Sequence, residues 1–170
     1  MEKRSGYLKM KGNPLTLLGR ELTVGEKAPE FQALTQDLQP FSLSDTAGKL
    51  RVISVVPSID TPVCDAQTRF FNQDASKFPD VAILSISVDL PFAIKRYCAA
   101  QGIENLTTLS DHKALDFGSK YGFVIEELRL LSRGVIVIDK DDIIRYIQYV
   151  PNVEDAPDFD SALAAVKALA

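Results

Sequence analysis

The chain has 170 residues, a mass of 18.7 kDa, a net charge of −4 and a pI near 5.0. That length suits one domain over residues 1–170, at roughly 150 residues per domain, with a core large enough to need no disulfide or metal staple. The acidic balance argues against a phosphate-backbone binder. No run approaches the roughly 18 apolar residues of a membrane span, and residues 7–14 offer no apolar leader segment. The expectation is a cytoplasmic chain with neither nucleic-acid nor membrane partners.

In chain order, residues 7–11 and 15–18 flank Gly12-Asn13-Pro14 and predict a β-hairpin. Residues 31–34 and 41–43 are further strands, and Gly48 closes an N-terminal β extension over residues 1–48. Residues 52–56 form a short apolar run, read as a buried strand. A loop with Pro57 and Pro62 leads into a helix over 64–78, with Ala66, Phe70, Phe71, Ala75 and Phe78 near helical spacing. Strand 81–88 is followed by helix 91–101, which has proline in its first turn and Gly102 just past its end. Residues 106–109 make a short strand, and Ser110 or Asp111 caps a helix running to about Tyr121. Runs 134–139 and 143–149 around Lys140-Asp141-Asp142 read as a second hairpin, before a last helix capped by Asp158 or Asp160. Alternation with long crossovers implies a mainly parallel sheet covered on both faces. The closing hairpin makes the sheet mixed. The fold class is a thioredoxin-like three-layer α/β/α sandwich with an N-terminal β-hairpin extension.

The chemistry concentrates on two cysteines, Cys64 and Cys98, and one histidine, His112. So few N and S ligands cannot fill a tetrahedral zinc site. In a cytosolic chain such cysteines are more often free or catalytic than a permanent bridge. Cys64 sits where a strand and loop hand over to a helix. Unpaired N–H groups and the macrodipole favour an anionic sulfur at such a place. Thr61, three residues earlier, brings a hydroxyl within reach, and Asp65 is expected to point to solvent. Position alone leaves Cys64 open between a reactive thiol and a buried small residue. Cys98, read as mid-helix, is equally a packing residue unless a partner thiol needs it. Two cysteines on separate helices must move to meet within the 4.4–6.8 Å Cα separation typical of a disulfide. His112 reads as a solvated residue near a helix start, and Glu126-Glu127 as a solvated pair. There is no C-x-x-C, G-x-S-x-G or P-loop.

The pattern Pro57-x-x-x-Thr61-x-x-Cys64 resembles the peroxiredoxin active-site signature. The wider run Pro57-Ser58-Ile59-Asp60-Thr61-Pro62-Val63-Cys64-Asp65 is similar to the thiol peroxidase branch, the atypical two-cysteine peroxiredoxins. So are Ser87-Val88-Asp89-Leu90-Pro91-Phe92-Ala93, Arg96-Tyr97-Cys98, Lys120-Tyr121-Gly122 and Arg133-Gly134-Val135-Ile136-Val137-Ile138-Asp139. The resemblance implies a peroxidatic Cys64 and a resolving Cys98. It implies a Thr61 hydroxyl bonding thiolate and peroxide, a shielding Pro57, and an Arg133 that stabilises the thiolate. It further implies hydroperoxide substrates, an intramolecular disulfide, recycling by thioredoxin, a homodimer, and no metal, haem or flavin cofactor. Ser132 and Gly134 depart from the small apolar neighbours expected beside Arg133. Ile59, Val63, Phe92 and Phe123 would give the pocket an apolar lining compatible with alkyl hydroperoxides. The competing reading, a non-catalytic thioredoxin-fold module, has no need of Pro57, Thr61, Cys64, Cys98 and Arg133 together.

Overall fold

A computed structural model describes every residue except position 76, and every side chain but those of residues 75 and 76. Positions 75 and 76 fall within the helix expected over 64–78, so the side chain of Ala75 and all of Ser76 lie outside the described residues. The strands are β1 (Lys3–Met10), β2 (Asn13–Leu18), β3 (Gln32–Leu34), β4 (Pro40–Ser42), β5 (Leu50–Val55), β6 (Val81–Ser87), β7 (Thr107–Ser110), β8 (Val124–Ile125), β9 (Leu130–Leu131), β10 (Gly134–Ile138) and β11 (Ile144–Tyr149). The helices are α1 (Pro62–Ala75), α2 (Pro91–Gln101), α3 (Asp116–Tyr121) and α4 (Phe159–Leu169).

The main sheet runs in the order β11-β10-β5-β6-β7-β3-β4. Only its β5-β6-β7 centre is parallel. The β10, β11, β3 and β4 pairings are all antiparallel. This narrows the expected mainly parallel sheet to three strands, because β10 and β3 both enter as antiparallel neighbours rather than by helical crossovers.

Register and side-chain alternation agree across the centre. Val52 pairs with Ile83 and Val137, and all three join Leu50, Phe71, Val135, Ala162 and Val166 on one face, under α1 and α4. Ile53 pairs with Leu84 and Ile136, and these join Phe31, Phe117, Tyr121 and Phe123 on the other. A shift of one residue would exchange the two faces, so burial on both sides pins the register. Phe70 stacks on Phe159 at 4.1 Å between ring centroids, locking α1 to α4.

The N-terminal extension divides between two sheets. β3 and β4 extend the main sheet, whereas β1 and β2 form a second sheet with β8 and β9. The β1–β2 turn is Lys11-Gly12, both at positive φ (49° and 81°), one residue earlier than the Gly12-Asn13-Pro14 reading. Two positive φ values match the twist of a two-residue hairpin. Pro14 instead lies within β2, opposite Lys9. Glu126 and Glu127 are not merely solvated: they meet Lys3 Nζ and the Thr16 N–H at the base of this hairpin.

α2 has its expected bounds, with Gly102 left-handed at its end. α3 starts at Asp116, later than expected. Residues 112–115 form a turn, and the buried Asp111 carboxylate reaches over it to accept from the N–H groups of Phe117 and Gly118. His112 follows as a partly exposed residue in that turn.

Burial pushes the Asp111 carboxyl up to about 6, against the backbone donors that favour its charge. A raised carboxyl is stabilising while protonated and loses that contribution as pH rises through it. Relative to Asp111→Asn, the wild-type chain should therefore lose about 2 kcal/mol of unfolding free energy between pH 4 and pH 6.5. Chemical denaturation at both pH values checks this, and a difference that stays flat contradicts it.

Candidate active site

The buried face of α1 carries Cys64, Gln67, Thr68 and Phe71, at helical spacings of three and four residues. Cys64 is the third residue of the helix and is fully buried. Its N–H donates to Thr61 Oγ1 at 3.3 Å, so Thr61 closes the first turn and its own hydroxyl proton points elsewhere. Pro57 is buried in the loop above. That loop is anchored by Asp89 at the end of β6. Asp89 accepts from Ser58 Oγ at 2.8 Å, the Ile59 N–H at 2.9 Å and Ser87 Oγ at 2.7 Å.

Arg133 stands at the start of β10, which lies beside β5. Its Nη1 is 3.2 Å from Cys64 Sγ and 3.1 Å from Gln67 Oε1. Its Nε and Nη2 both donate to the carbonyl of Val153, at 3.2 and 3.0 Å. The residue is 2% exposed. Among the described residues, none of the ion pairs involves it. A buried cation without a carboxylate favours an anion at the remaining contact, and here that contact is sulfur. Gln67 is held in turn, its amide donating to Ser54 Oγ at 2.8 Å and to the carbonyls of Val55 and Gly134. Gly134 has a steric reason: a Cβ there would sit 2.4 Å from the Gln148 carbonyl oxygen and 2.5 Å from the Phe123 ring.

Cys98 lies in the last turn of α2, not its middle. Its carbonyl accepts from Gly102 and from Ile103, the bonding that ends a helix on a left-handed glycine. The thiol is 3.8 Å from Thr108 Oγ1 and packs with Ile59, Ile94 and Ile103. Burial pushes this thiol up, partly offset by Thr108. Both cysteines are free thiols.

A polar seam joins the two cysteine helices. Asp65, Arg69 and Asn72 line one side of α1, opposite the C-terminal half of α2. Tyr97 donates its hydroxyl to Asp65 and Arg69 donates to Gln101. Asn72 Oδ1 accepts from the Glu104 and Asn105 N–H groups at 3.1 and 2.9 Å. Asp65 therefore does not face open solvent. Partial burial raises its carboxyl, but the Tyr97 and Arg69 bonds outweigh that and hold it below the usual range. Burial and the Asp65 bond push the Tyr97 phenol up.

Of the five site residues expected from sequence, Thr61, Cys64 and Arg133 are joined by hydrogen bonds, Pro57 is buried in the loop before α1, and Cys98 sits on the next helix. Gln67, Asp89, Tyr97 and the Val153 carbonyl were not singled out. Gln67 alone had a readable signal, its i+3 spacing from Cys64. Phe123 lies in the core behind Gly134, and Phe92 is 69% exposed.

The redoxin family model matches residues 23–165. A thiol peroxidase of Halalkalibacterium halodurans is 56% identical over 158 residues, covering 93% of this chain and 95% of that one. One from Bacillus subtilis is 50% identical over 159 residues, covering 94% and 95%. The crystal structure of a peroxiredoxin-like protein from Aquifex aeolicus superposes with a TM-score of 0.91 at 39% identity, covering 98% of each chain.

The seam makes a prediction about thiol access. A hydrogen bond to a charged group contributes about 1.5–3 kcal/mol. Tyr97→Phe should then speed alkylation of native Cys98 at least tenfold, as mass spectrometry would resolve. A rate within twofold of wild type would show that the seam does not hold α2 closed.

Proposed function

The chain belongs to the redoxin family as a thiol peroxidase of the peroxiredoxin type, and on that premise we propose that Cys64 is its peroxidatic thiol and Cys98 its resolving thiol. The observation that carries this reading is the contact between the buried Arg133 guanidinium and Cys64 Sγ. The guanidinium favours the thiolate, the nucleophilic form. The thiolate attacks the terminal oxygen of a hydroperoxide and breaks the O–O bond. Cys64 becomes a sulfenic acid, and the leaving oxygen takes up a proton as alcohol or water. Arg133 and Thr61 stabilise the charge developing on the peroxide oxygens. The Thr61 hydroxyl suits this role because its oxygen already accepts from Cys64 while its proton remains to be donated. Pro57 closes the loop over the thiol.

In the second step the Cys98 thiol displaces water from the Cys64 sulfenic acid and an intramolecular disulfide forms. A thioredoxin dithiol then reduces it through a mixed disulfide, both thiols being returned and thioredoxin oxidised. Both cysteines are buried in helices, so the second step requires the last turn of α2, the first turn of α1, or both to unwind. The same reading takes the chain as one domain that acts in the cytoplasm as a homodimer. Leu90 and Phe92, 54% and 69% exposed beside the start of α2, offer apolar surface for protein contact. Phe92 and the partly exposed Val63 are the expected lining residues left to meet an alkyl group, since Ile59 and Phe123 are buried.

Peroxide consumption coupled to thioredoxin and its reductase tests this mechanism. Cys64→Ser should abolish turnover. Cys98→Ser should reduce one equivalent of peroxide and then stop. Arg133→Gln should lower kcat/KM about 100-fold or more, as loss of a preorganised donor does elsewhere. After one equivalent of peroxide, a non-reducing gel should show a faster monomer band. Full turnover by Cys64→Ser would overturn the assignment.

A further inference from the structure

We propose that the β1–β2 hairpin is a positioning element for Arg133, acting through the main chain of Lys9 and Val153. The proposal rests on the reading of Arg133 given above. Among the described residues, no carboxylate pairs with Arg133 to aim it. Instead, two N–H groups along one edge of its guanidinium share a single acceptor, the Val153 carbonyl. Two donors on one oxygen fix the plane of the fork, which leaves Nη1 directed at Cys64 and Gln67. The aim of Arg133 is therefore only as firm as the position of that carbonyl.

Val153 is not in a regular strand of the main sheet. β11 ends at Tyr149, and Val150, whose N–H reaches the Arg133 carbonyl, makes the last bond of this stretch to the main sheet. Beyond it the hairpin holds the chain. The Lys9 N–H donates to the Pro151 carbonyl at 2.8 Å, and the Lys9 carbonyl accepts from the Val153 N–H at 2.9 Å. The Lys11 N–H adds a bond to the Glu154 carboxylate at 3.1 Å. The Val153 side chain packs on Leu8, Leu17 and Ile125, the small core of the second sheet.

The hairpin sequence suits this use. Lys9 and Pro14 form a non-hydrogen-bonded pair of the β1–β2 ladder, one step from the Lys11-Gly12 turn, so both main-chain groups of Lys9 face away from β2 and meet the 151–153 segment. The relay runs from Lys9 to Val153, from Val153 to Arg133, and from Arg133 to Cys64.

Val153→Pro cuts this relay at its second link. Val153 is the second residue of a turn closed by the Asp155 N–H on the Asn152 carbonyl at 3.1 Å, a position that favours proline. The substitution keeps the carbonyl, removes the N–H that reaches Lys9, and exchanges the valine side chain for the proline ring against Leu8, Leu17 and Ile125. Lys9→Pro cuts the other hydrogen bond and serves where the first variant fails to fold. The readouts are the rate of Cys64 alkylation by iodoacetamide at pH 7 in a Cys98→Ser background, and peroxide kcat/KM with Cys98 intact. Either variant should slow alkylation at pH 7 roughly three- to tenfold and lower kcat/KM, because a loosened guanidinium holds the reacting sulfur less well. In an Arg133→Gln background the same change should have no further effect, the signature of action through that residue. Lys3→Ala, on the same strand but away from the relay, should leave both readouts unchanged. Folded Val153→Pro and Lys9→Pro variants that match the parent, or that lower the rate equally with and without Arg133, would overturn the proposal. If Arg133→Gln itself leaves alkylation unaltered, the assignment of Arg133 has failed, which is a separate result.

Discussion

Arg133 is a guanidinium taken out of water and, among the described residues, paired with no carboxylate. Isolated buried charge is costly, so each of its donors must find an acceptor. The surroundings meet that demand with one backbone carbonyl, one amide oxygen and one sulfur. Of these, sulfur is the only one able to become an anion. The neighbouring features follow from satisfying this group. Gln67 turns its oxygen to Arg133 because its amide nitrogen is engaged by Ser54 and the backbone of β5 and β10. Gly134 lets the strand after Arg133 lie against Phe123 and Gln148, where any side chain would collide.

α1 connects the two thiols through its two faces. The inner face carries Cys64, Gln67 and Thr68 toward Arg133 and the sheet. The outer row of Asp65, Arg69 and Asn72 grips the C-terminal half of α2 and the turn after it, where Cys98 is buried. The peroxide step proposed for Cys64 asks for rigidity, and the disulfide step asks for movement. A rigid inner face set in a close-packed sheet, beside an outer face held by partly solvated polar bonds, separates these demands within one helix.

The sequence carried some of this plainly. β10 is a short uninterrupted apolar run, and β5 is apolar apart from Arg51 and Ser54; burial on both faces asks for that composition. α2 was bounded by Pro91 and Gly102, whose backbone preferences are local. The convergence of Thr61, Cys64 and Arg133 was legible through family resemblance, since nothing in the spacing of residue 133 places it beside residue 64. What escaped has a common cause. The Asp65–Tyr97 bond and the Val153 carbonyl join groups from different elements, and one is a main-chain atom that any residue would supply. The two-residue strands β8 and β9 are too short for alternation to register.

The seam also has an optical side. The chain contains five tyrosines and no tryptophan, so its near-ultraviolet emission comes from tyrosine alone. A phenol hydrogen-bonded to a carboxylate emits weakly, because the excited ring passes its proton to the acceptor. Tyr97, beside Cys98 on α2, is held in that darkened state by Asp65, which follows Cys64 on α1. Separation of α1 from α2 returns its light, giving the protein an intrinsic label at the junction that must open.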